Sequence, residues 1–380
     1  KKFKPVILKI LPDTVYHGRW QRKYRFGKDK VVKFKPKSIV VVEHPQKIYR
    51  VGVVGCGWAG TKMHGPGFKR LNNVDIIGGF DIDRGKTVEF ATRIGGRSFI
   101  SLEELVEEGR PDIVSVCSPE WTHYTTCMYL LKNGINVFCE KLMATRFSHA
   151  QAMVDTASQL NRVLAVNYNY RFMPGIKKIK EVIEQKALGE LSFFNINVHA
   201  MSYAHAIDLL SYLGGTIKTV SGSYKNDNAI RVFGNTDWKL YDDDILYVPS
   251  INASLTCEFE SGALGIINSS YFYNLHSFVL SIEAIFENGV ITLNGINMFN
   301  TTGELTFISN RKIKKVDMNY KKGVYAKGYE YTFFSSIESF MKRYSLGLEP
   351  ETTGSQGLFN MKIEKAVSES HRKKIKIKIN

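Results

Sequence analysis

The sequence predicts an α/β protein in two parts: a doubly wound parallel sheet, then an α+β domain on a large, mostly antiparallel sheet. Two observations predict it. Up to about residue 170, short apolar runs alternate with amphipathic stretches of ten to fifteen residues, the pattern of βαβ units. Beyond that point the apolar period falls to two, which is the period of half-buried strands. The length of 380 residues, with 44% hydrophobic and 23% charged, gives room for two cores.

In the first part the apolar runs are Tyr49 to Val54, Val74 to Phe80, Ile113 to Cys117, Ile135 to Cys139 and Val163 to Val166. They read as continuous runs because both faces of such strands are covered. Trp121 to Asn133 and Ser148 to Asn161 carry apolar residues at helical spacing between them. A helix is then expected over Pro174 to Lys186. Period-two runs follow at Ser192 to Ala200, Ile217 to Lys225, Asn252 to Glu260, Ala263 to Tyr271, Phe278 to Phe286 and Val290 to Asn294. Glu260-Ser261-Gly262 and Glu287-Asn288-Gly289 read as the turns of hairpins. One helix, His205 to Leu213, interrupts the strands, and helices over Glu330 to Tyr344 and Thr352 to Ser370 close the chain.

The net charge of +16 is concentrated at the ends. Residues 1–50 hold 15 basic against 3 acidic residues, and residues 371–380 hold five basic residues and no acid. Residues 51–370 carry 32 basic against 33 acidic, so the body is ordinary and no nucleic-acid groove is expected. The basic extension, residues 1–48, contains alternating apolar positions in Val31 to Val42, and Val40-Val41-Val42 needs burial. An ordered β-arm packed on the body or on a neighbouring subunit is expected there. The five cysteines are odd in number and lack a C-x-x-C pair, which suggests neither a disulfide framework nor a metal site. With no eighteen-residue apolar run and no signal-peptide pattern, the expectation is a cytoplasmic protein without a membrane span.

Val51-Gly52-Val53-Val54-Gly55-Cys56-Gly57-Trp58-Ala59-Gly60 is G-x-G-x-x-G at a predicted strand-to-helix junction. Gly55 permits the tight turn, Gly57 admits a pyrophosphate, and Gly60 lets helix and strand approach. Trp58 and Ala59 open the helix, whose free N–H groups face the phosphates. Asp81 ends the next strand, 21 residues beyond Gly60, where a carboxylate accepts hydrogen bonds from ribose hydroxyls. The expected cofactor is NAD, since a carboxylate there repels a 2′-phosphate. Arg84 is able to neutralise such a phosphate and keeps NADP open.

At this point the sequence resembles the Gfo/Idh/MocA family of oxidoreductases, over about residues 48–378. The matching segments are the glycine loop, Cys117-Ser118-Pro119-Glu120-Trp121-Thr122-His123, and Gly134-Ile135-Asn136-Val137-Phe138-Cys139-Glu140-Lys141. Asn167-Tyr168-Asn169-Tyr170-Arg171-Phe172, Ala187-Leu188-Gly189-Glu190-Leu191 and Thr353-Gly354-Ser355-Gln356-Gly357 also match. The resemblance implies a Rossmann domain at 49–170 and a substrate and oligomerisation domain at 171–350. Residues 351–380 would then be a helix and basic tail packing back toward the Rossmann domain. It also implies a homodimer or homotetramer through the open face of the second sheet. The implied substrates are sugars, inositols, sugar nucleotides and related polyols.

The family's Glu-Lys-Pro lysine corresponds to Lys141, and the proton-moving residue of its D-x-x-x-H/Y motif to His205. Ser118, Pro119, His123 and Glu140 are then expected beside the cofactor, with Tyr168, Arg171, Tyr203 and Asp208 beside the substrate. Elementary chemistry points the same way. Ligands bind outside the carboxyl ends of parallel strands, where Lys141 falls, and its ammonium suits a developing alkoxide. His205 has an ordinary pKa near neutrality and so suits proton exchange, and Asp208 shares its helix face. His123 equally suits a pocket wall or packing role, and Tyr168 and Arg171 equally suit the domain junction.

Two positions depart from the family pattern. Leu142 stands where the family has Pro, so the Lys141 loop is expected to differ, and Met201 stands where it has Asp. Met201 cannot polarise a hydroxyl, so His205 works with Lys141 alone, or Tyr203 or another residue substitutes. Two other readings therefore stand beside the dehydrogenase: a non-catalytic NAD-binding metabolite sensor, and an NAD-dependent glycosidase.

Overall fold

The computed structural model describes residues 47–225, 252–270, 280–297, 300–309, 312–316 and 328–379. Contacts divide the chain after Ile48, and the unit described below begins at Tyr49. The arm expected at Val31 to Val42 lies outside the described residues, as do the expected strand ends at Tyr271 and Phe278.

The first sheet comprises β1 (Tyr49–Val54), β2 (Val74–Phe80), β3 (Arg97–Ser98), β4 (Ile113–Val116), β5 (Asn136–Glu140) and β6 (Leu164–Asn167). All pairs are parallel, in the order β3-β2-β1-β4-β5-β6. This is the doubly wound arrangement, and its order reverses between β1 and β4, where the two adjoining loops leave a crevice. Its helices are α1 (Gly65–Lys69), α2 (Arg84–Ile94), α3 (Leu102–Glu107), α4 (Glu120–Lys132) and α5 (Phe147–Gln159). Asp83 caps α2 by accepting from the N–H groups of Gly85 and Lys86.

The chain then runs through α6 (Pro174–Glu184), β7 (Leu191–His199), α7 (Tyr203–Gly214) and β8 (Ile217–Lys225). Next come β9 (Asn252–Phe259), β10 (Leu264–Ser270), β11 (Leu280–Phe286), β12 (Gly289–Ile296), β13 (Glu304–Ser309) and β14 (Lys312–Val316). Helices α8 (Glu330–Ser345) and α9 (Gly354–Lys373) and strand β15 (Ile377–Lys378) complete it. The nine strands are ordered β14-β13-β12-β11-β7-β10-β9-β8-β15. Among the described strands of this sheet only the central β7–β10 pair is parallel, with Ile196 opposite Ile267. Alternation along the strands buries Phe194, Ile196, Val198 and Leu255 against Leu209, Leu210, Ile363 and Val367. The opposite face carries Asn195, Asn197 and Asn268, joined through their side-chain amides.

The last two helices return to the first sheet. Ile337, Phe340 and Met341 of α8 share a core with Val51 and Phe138, while Thr353 and Gln356 close a capping box at the start of α9. The Val166 N–H donates to the Thr352 carbonyl at 3.0 Å, docking that start on β6. Among the described residues, no helix is long and apolar enough to cross a membrane.

Candidate active site

The glycine loop follows β1 at the crevice. Gly55 has φ +88°, and a Cβ there would lie 2.3 Å from the Ser118 nitrogen. At Gly60 a Cβ would lie 2.1 Å from the Gly55 carbonyl oxygen. Gly57 differs: a Cβ there meets nothing within 4 Å, so the loop borders open space of the kind a pyrophosphate needs. After Trp58 the chain winds one wide turn of π-helix, Ala59–His64, before α1, an irregularity frequent at functional sites. At the end of β2, the Asp81 carboxylate accepts from the N–H groups of Cys56 at 2.8 Å and Asp83 at 2.9 Å. Arg84 is committed elsewhere, its guanidinium donating to the Ser98 and Phe99 carbonyls at 3.1 and 3.2 Å. These residues fit NAD: the cradle is open, and the charge beside the ribose position is a carboxylate.

The loops after β4 and β5 are tied together by His123. Its buried imidazole lies between the carbonyl oxygens of Leu142, 2.6 Å from Nδ1, and Ser118, 2.8 Å from Nε2. Burial pushes its pKa down. Pro119 starts α4, and the Ser118 hydroxyl accepts from Thr122 at 2.7 Å. The Lys141–Leu142 peptide is cis, so the loop carries with Leu the form that the departure from Pro put in question.

Glu140 is anchored from two sides. His64 Nε2 donates to its Oε1 at 2.8 Å, and the Asn167 amide donates to the same oxygen at 2.6 Å. His64 Nδ1 lies 2.8 Å from the Ser115 hydroxyl, and Ser336 donates to Asn167 Oδ1 at 2.7 Å. Burial alone would lower the His64 pKa, but Cys117 and Glu140 outweigh it and hold it at about 10. Burial likewise raises Glu140, and His64, Asn167 and Lys141 outweigh it to bring the carboxyl below its usual range. The base of the Lys141 loop is thus a buried imidazolium–carboxylate pair.

His205, in the first turn of α7, is 2% exposed. Its ring stacks on Tyr170, with centroids 4.0 Å apart and planes 4° from parallel, and meets the edge of Tyr168 at 6.1 Å. Among the described residues Nδ1 has no hydrogen-bond partner. Burial and the neighbouring Lys141 ammonium push its pKa well below the usual value, so it does not titrate near neutrality as an ordinary histidine would. Tyr203 packs at the edge of the second core. Met201 is 42% exposed.

Arg171 and Asp208 face each other rather than a cleft. The guanidinium donates to both carboxylate oxygens at 2.7 and 2.6 Å, and also to the Glu351 carbonyl at 2.7 Å. Asn360 of α9 adds a bond to Asp208 at 2.9 Å. The pair pins the turn after β6, α7 and α9 together at the domain junction.

Sequence alone assigns no role to His64 or Ser115. His64 lies four residues after Gly60, on the turn that leaves the glycine loop, and that position was its available signal.

An open pyrophosphate cradle at the strand-order reversal, with a carboxylate at the ribose position, is the design of NAD-dependent oxidoreductases, and this chain is an enzyme of that class. The family described as "Oxidoreductase family, NAD-binding Rossmann fold" matches residues 49–168. That match, to the Gfo/Idh/MocA family, spans the part of the chain that carries the six-stranded parallel sheet. It is 23% identical to "Myo-inositol 2-dehydrogenase" of Thermotoga maritima over 344 residues, 87% of this chain and 98% of that one. It is 30% identical to "D-glucoside 3-dehydrogenase" of Escherichia coli over 143 residues, 37% of this chain and 41% of the relative. Among solved structures, levoglucosan dehydrogenase in complex with NADH and levoglucosan shares the fold with a TM-score of 0.76 and 18% identity. That likeness covers 88% of this chain and 100% of the other.

Proposed function

We propose that the protein moves a hydride between NAD and a hydroxyl-bearing carbon of a carbohydrate, polyol or sugar nucleotide, with Lys141 and His205 at the reacting oxygen. The observation that carries this reading is the buried His205 imidazole, stacked on Tyr170 and lowered in pKa by burial and by the Lys141 ammonium. Lys141 follows β5, and its ammonium acts on a buried imidazole whose Nδ1 has no hydrogen-bond partner among the described residues. NAD, when bound, supplies the hydride acceptor. Lys141 steadies negative charge as it develops on the oxygen, and the neutral His205 ring hydrogen-bonds the same atom. Tyr168 and Tyr170 fix that ring, and His64 with Asn167 fixes the Glu140–Lys141 loop. The relatives' names, a myo-inositol and a D-glucoside dehydrogenase, support the substrate class.

The open face of the nine-stranded sheet supports assembly as a homodimer or homotetramer, and five unpaired cysteines suit a reducing cytoplasm. The exposure of Met201, which leaves His205 without a carboxylate four residues earlier, favours as second reading an NAD-binding sensor. One experiment separates the two. Protein and NAD are incubated with myo-inositol, levoglucosan, glucose 6-phosphate and UDP-N-acetylglucosamine, and NADH is followed by absorbance. The enzyme reading expects turnover with at least one; the sensor reading expects stoichiometric binding without turnover.

A further inference from the structure

Trp58 follows Gly57, the point at which the pyrophosphate cradle is open, and its indole leans on α8. The ring lies 6.3 Å from that of Tyr329, with planes 27° apart, and 6.3 Å from that of Phe333, edge to face. Phe333 packs in turn on His64 at 5.5 Å, and His64 holds Glu140 at 2.8 Å. Tyr329 meets the edge of Tyr170 at 6.3 Å, and Tyr170 stacks on His205 at 4.0 Å. Two lines of contact therefore start at Trp58: one ends on the anchor of the Lys141 loop, the other on His205. Phe333 and Tyr170 are buried and Tyr329 is half-buried, whereas Trp58 is 53% exposed.

The direction of the lean is informative. Asp81, at the end of β2, lies on one side of the glycine loop and binds the Cys56 N–H. The contacts of Trp58 run to the other side, through His64 to Ser115 of β4 and Glu140 of β5. The indole thus borders the half of the crevice that carries Lys141, and it presents a large aromatic face that its neighbours steady without covering.

We propose that the exposed Trp58 indole is the platform for the substrate ring. It takes the apolar C–H face of a six-membered cyclic polyol or sugar, while a hydroxyl at the edge of the same ring meets Lys141 and His205. The proposal rests on the oxidoreductase reading and narrows its substrate class to rings. The C–H groups on the face of such a ring carry slight positive charge and suit the negative face of an indole, and the hydroxyls at its edge stay free for polar contacts. An open-chain polyol has no fixed face, and ordering its rotors costs entropy that a ring does not lose. A contact of this kind holds substrate and transition state alike, so its loss raises KM and leaves kcat in place.

The test uses the intact chain with Trp58→Phe, which keeps an aromatic face, and Trp58→Leu, which keeps apolar bulk without one. Binding of myo-inositol, levoglucosan and D-sorbitol to the protein–NADH complex is measured by calorimetry, and oxidation is followed by NADH absorbance. Trp58→Leu should weaken binding of the better ring and raise its KM by about tenfold, the upper end of what an aromatic face adds beyond its area. Its kcat and NADH affinity should stay within about threefold, and Trp58→Phe should recover most of the loss. D-sorbitol should bind the unmodified protein about tenfold more weakly than the better ring. A Leu variant that binds the rings as well as the Phe variant, or sorbitol bound as tightly as a ring, overturns the proposal. So does an equal loss of NADH affinity, which would place the indole on the cofactor; each of these results leaves the oxidoreductase reading intact. Failure of both rings to bind overturns the proposal, and turnover of glucose 6-phosphate or UDP-N-acetylglucosamine would then still uphold the oxidoreductase reading. A ring that binds through Trp58 and is never oxidised upholds the platform and overturns that reading.

Discussion

The His64 imidazole and the Glu140 carboxylate meet at 2.8 Å, with the imidazole side chain fully buried and the carboxylate nearly so. A buried pair of this kind is not in itself stabilising, but removal of one partner strands a charge, at a cost of about 3 to 5 kcal/mol. His64→Gln should therefore lower unfolding stability in urea by about that amount at pH 7. Because the His64 pKa in the fold is raised to about 10, its stabilisation is complete below its ordinary pKa and is lost as pH rises through 10. The gap between the unmodified protein and the variant should narrow between pH 7 and 10. A gap that stays constant would show that His64 is not charged in the fold.

Cofactor recognition should depend on open space and on one carboxylate. Gly57→Val places a side chain where a Cβ now meets nothing within 4 Å, and NADH binding followed by fluorescence should vanish. Asp81→Ala should erode the preference for NAD over NADP. Arg84→Ala should leave that preference unchanged, because the guanidinium is already held by the Ser98 and Phe99 carbonyls. Tighter binding of NADP than NAD by the unmodified protein would refute the role given to Asp81.

Asp208→Asn separates a structural ion pair from a substrate contact. The variant leaves Arg171 buried without its counter-charge, so urea unfolding should show a loss of about 3 to 5 kcal/mol. KM for the best substrate should stay within a factor of two or so, since both carboxylate oxygens already face Arg171. A large rise in KM with unchanged stability would return Asp208 to the substrate pocket.

His205→Asn should slow turnover by about a hundredfold, the scale of losing a donor to the developing oxyanion, yet leave the shape of the pH–rate profile between pH 6 and 9 unchanged. Burial and Lys141 keep the imidazole neutral throughout that range. Loss of a limb near pH 7 in the variant would mean that His205 titrates there after all.

The features legible in the sequence are those with local causes. Gly55, Gly57, Gly60 and Asp81 are set by a turn and by a fixed spacing along one βαβ unit, and the continuous runs of β1, β4 and β5 mark a sheet covered on both faces. The two residues of β3 are too few to show a period, and β13 and β14 form an edge hairpin whose lysines and exposed Ile313 give little alternation. The depression of His205 depends on Tyr170 and Lys141, which arrive from other elements.

The most direct test of the central claim compares the unmodified protein with Lys141→Met. The account predicts NADH formation from NAD and at least one of the four carbohydrate substrates, and a loss of that turnover in Lys141→Met with NADH affinity nearly intact. The ammonium acts on the oxygen where charge develops, not on the dinucleotide. Turnover that survives in Lys141→Met at the unmodified rate would contradict the account.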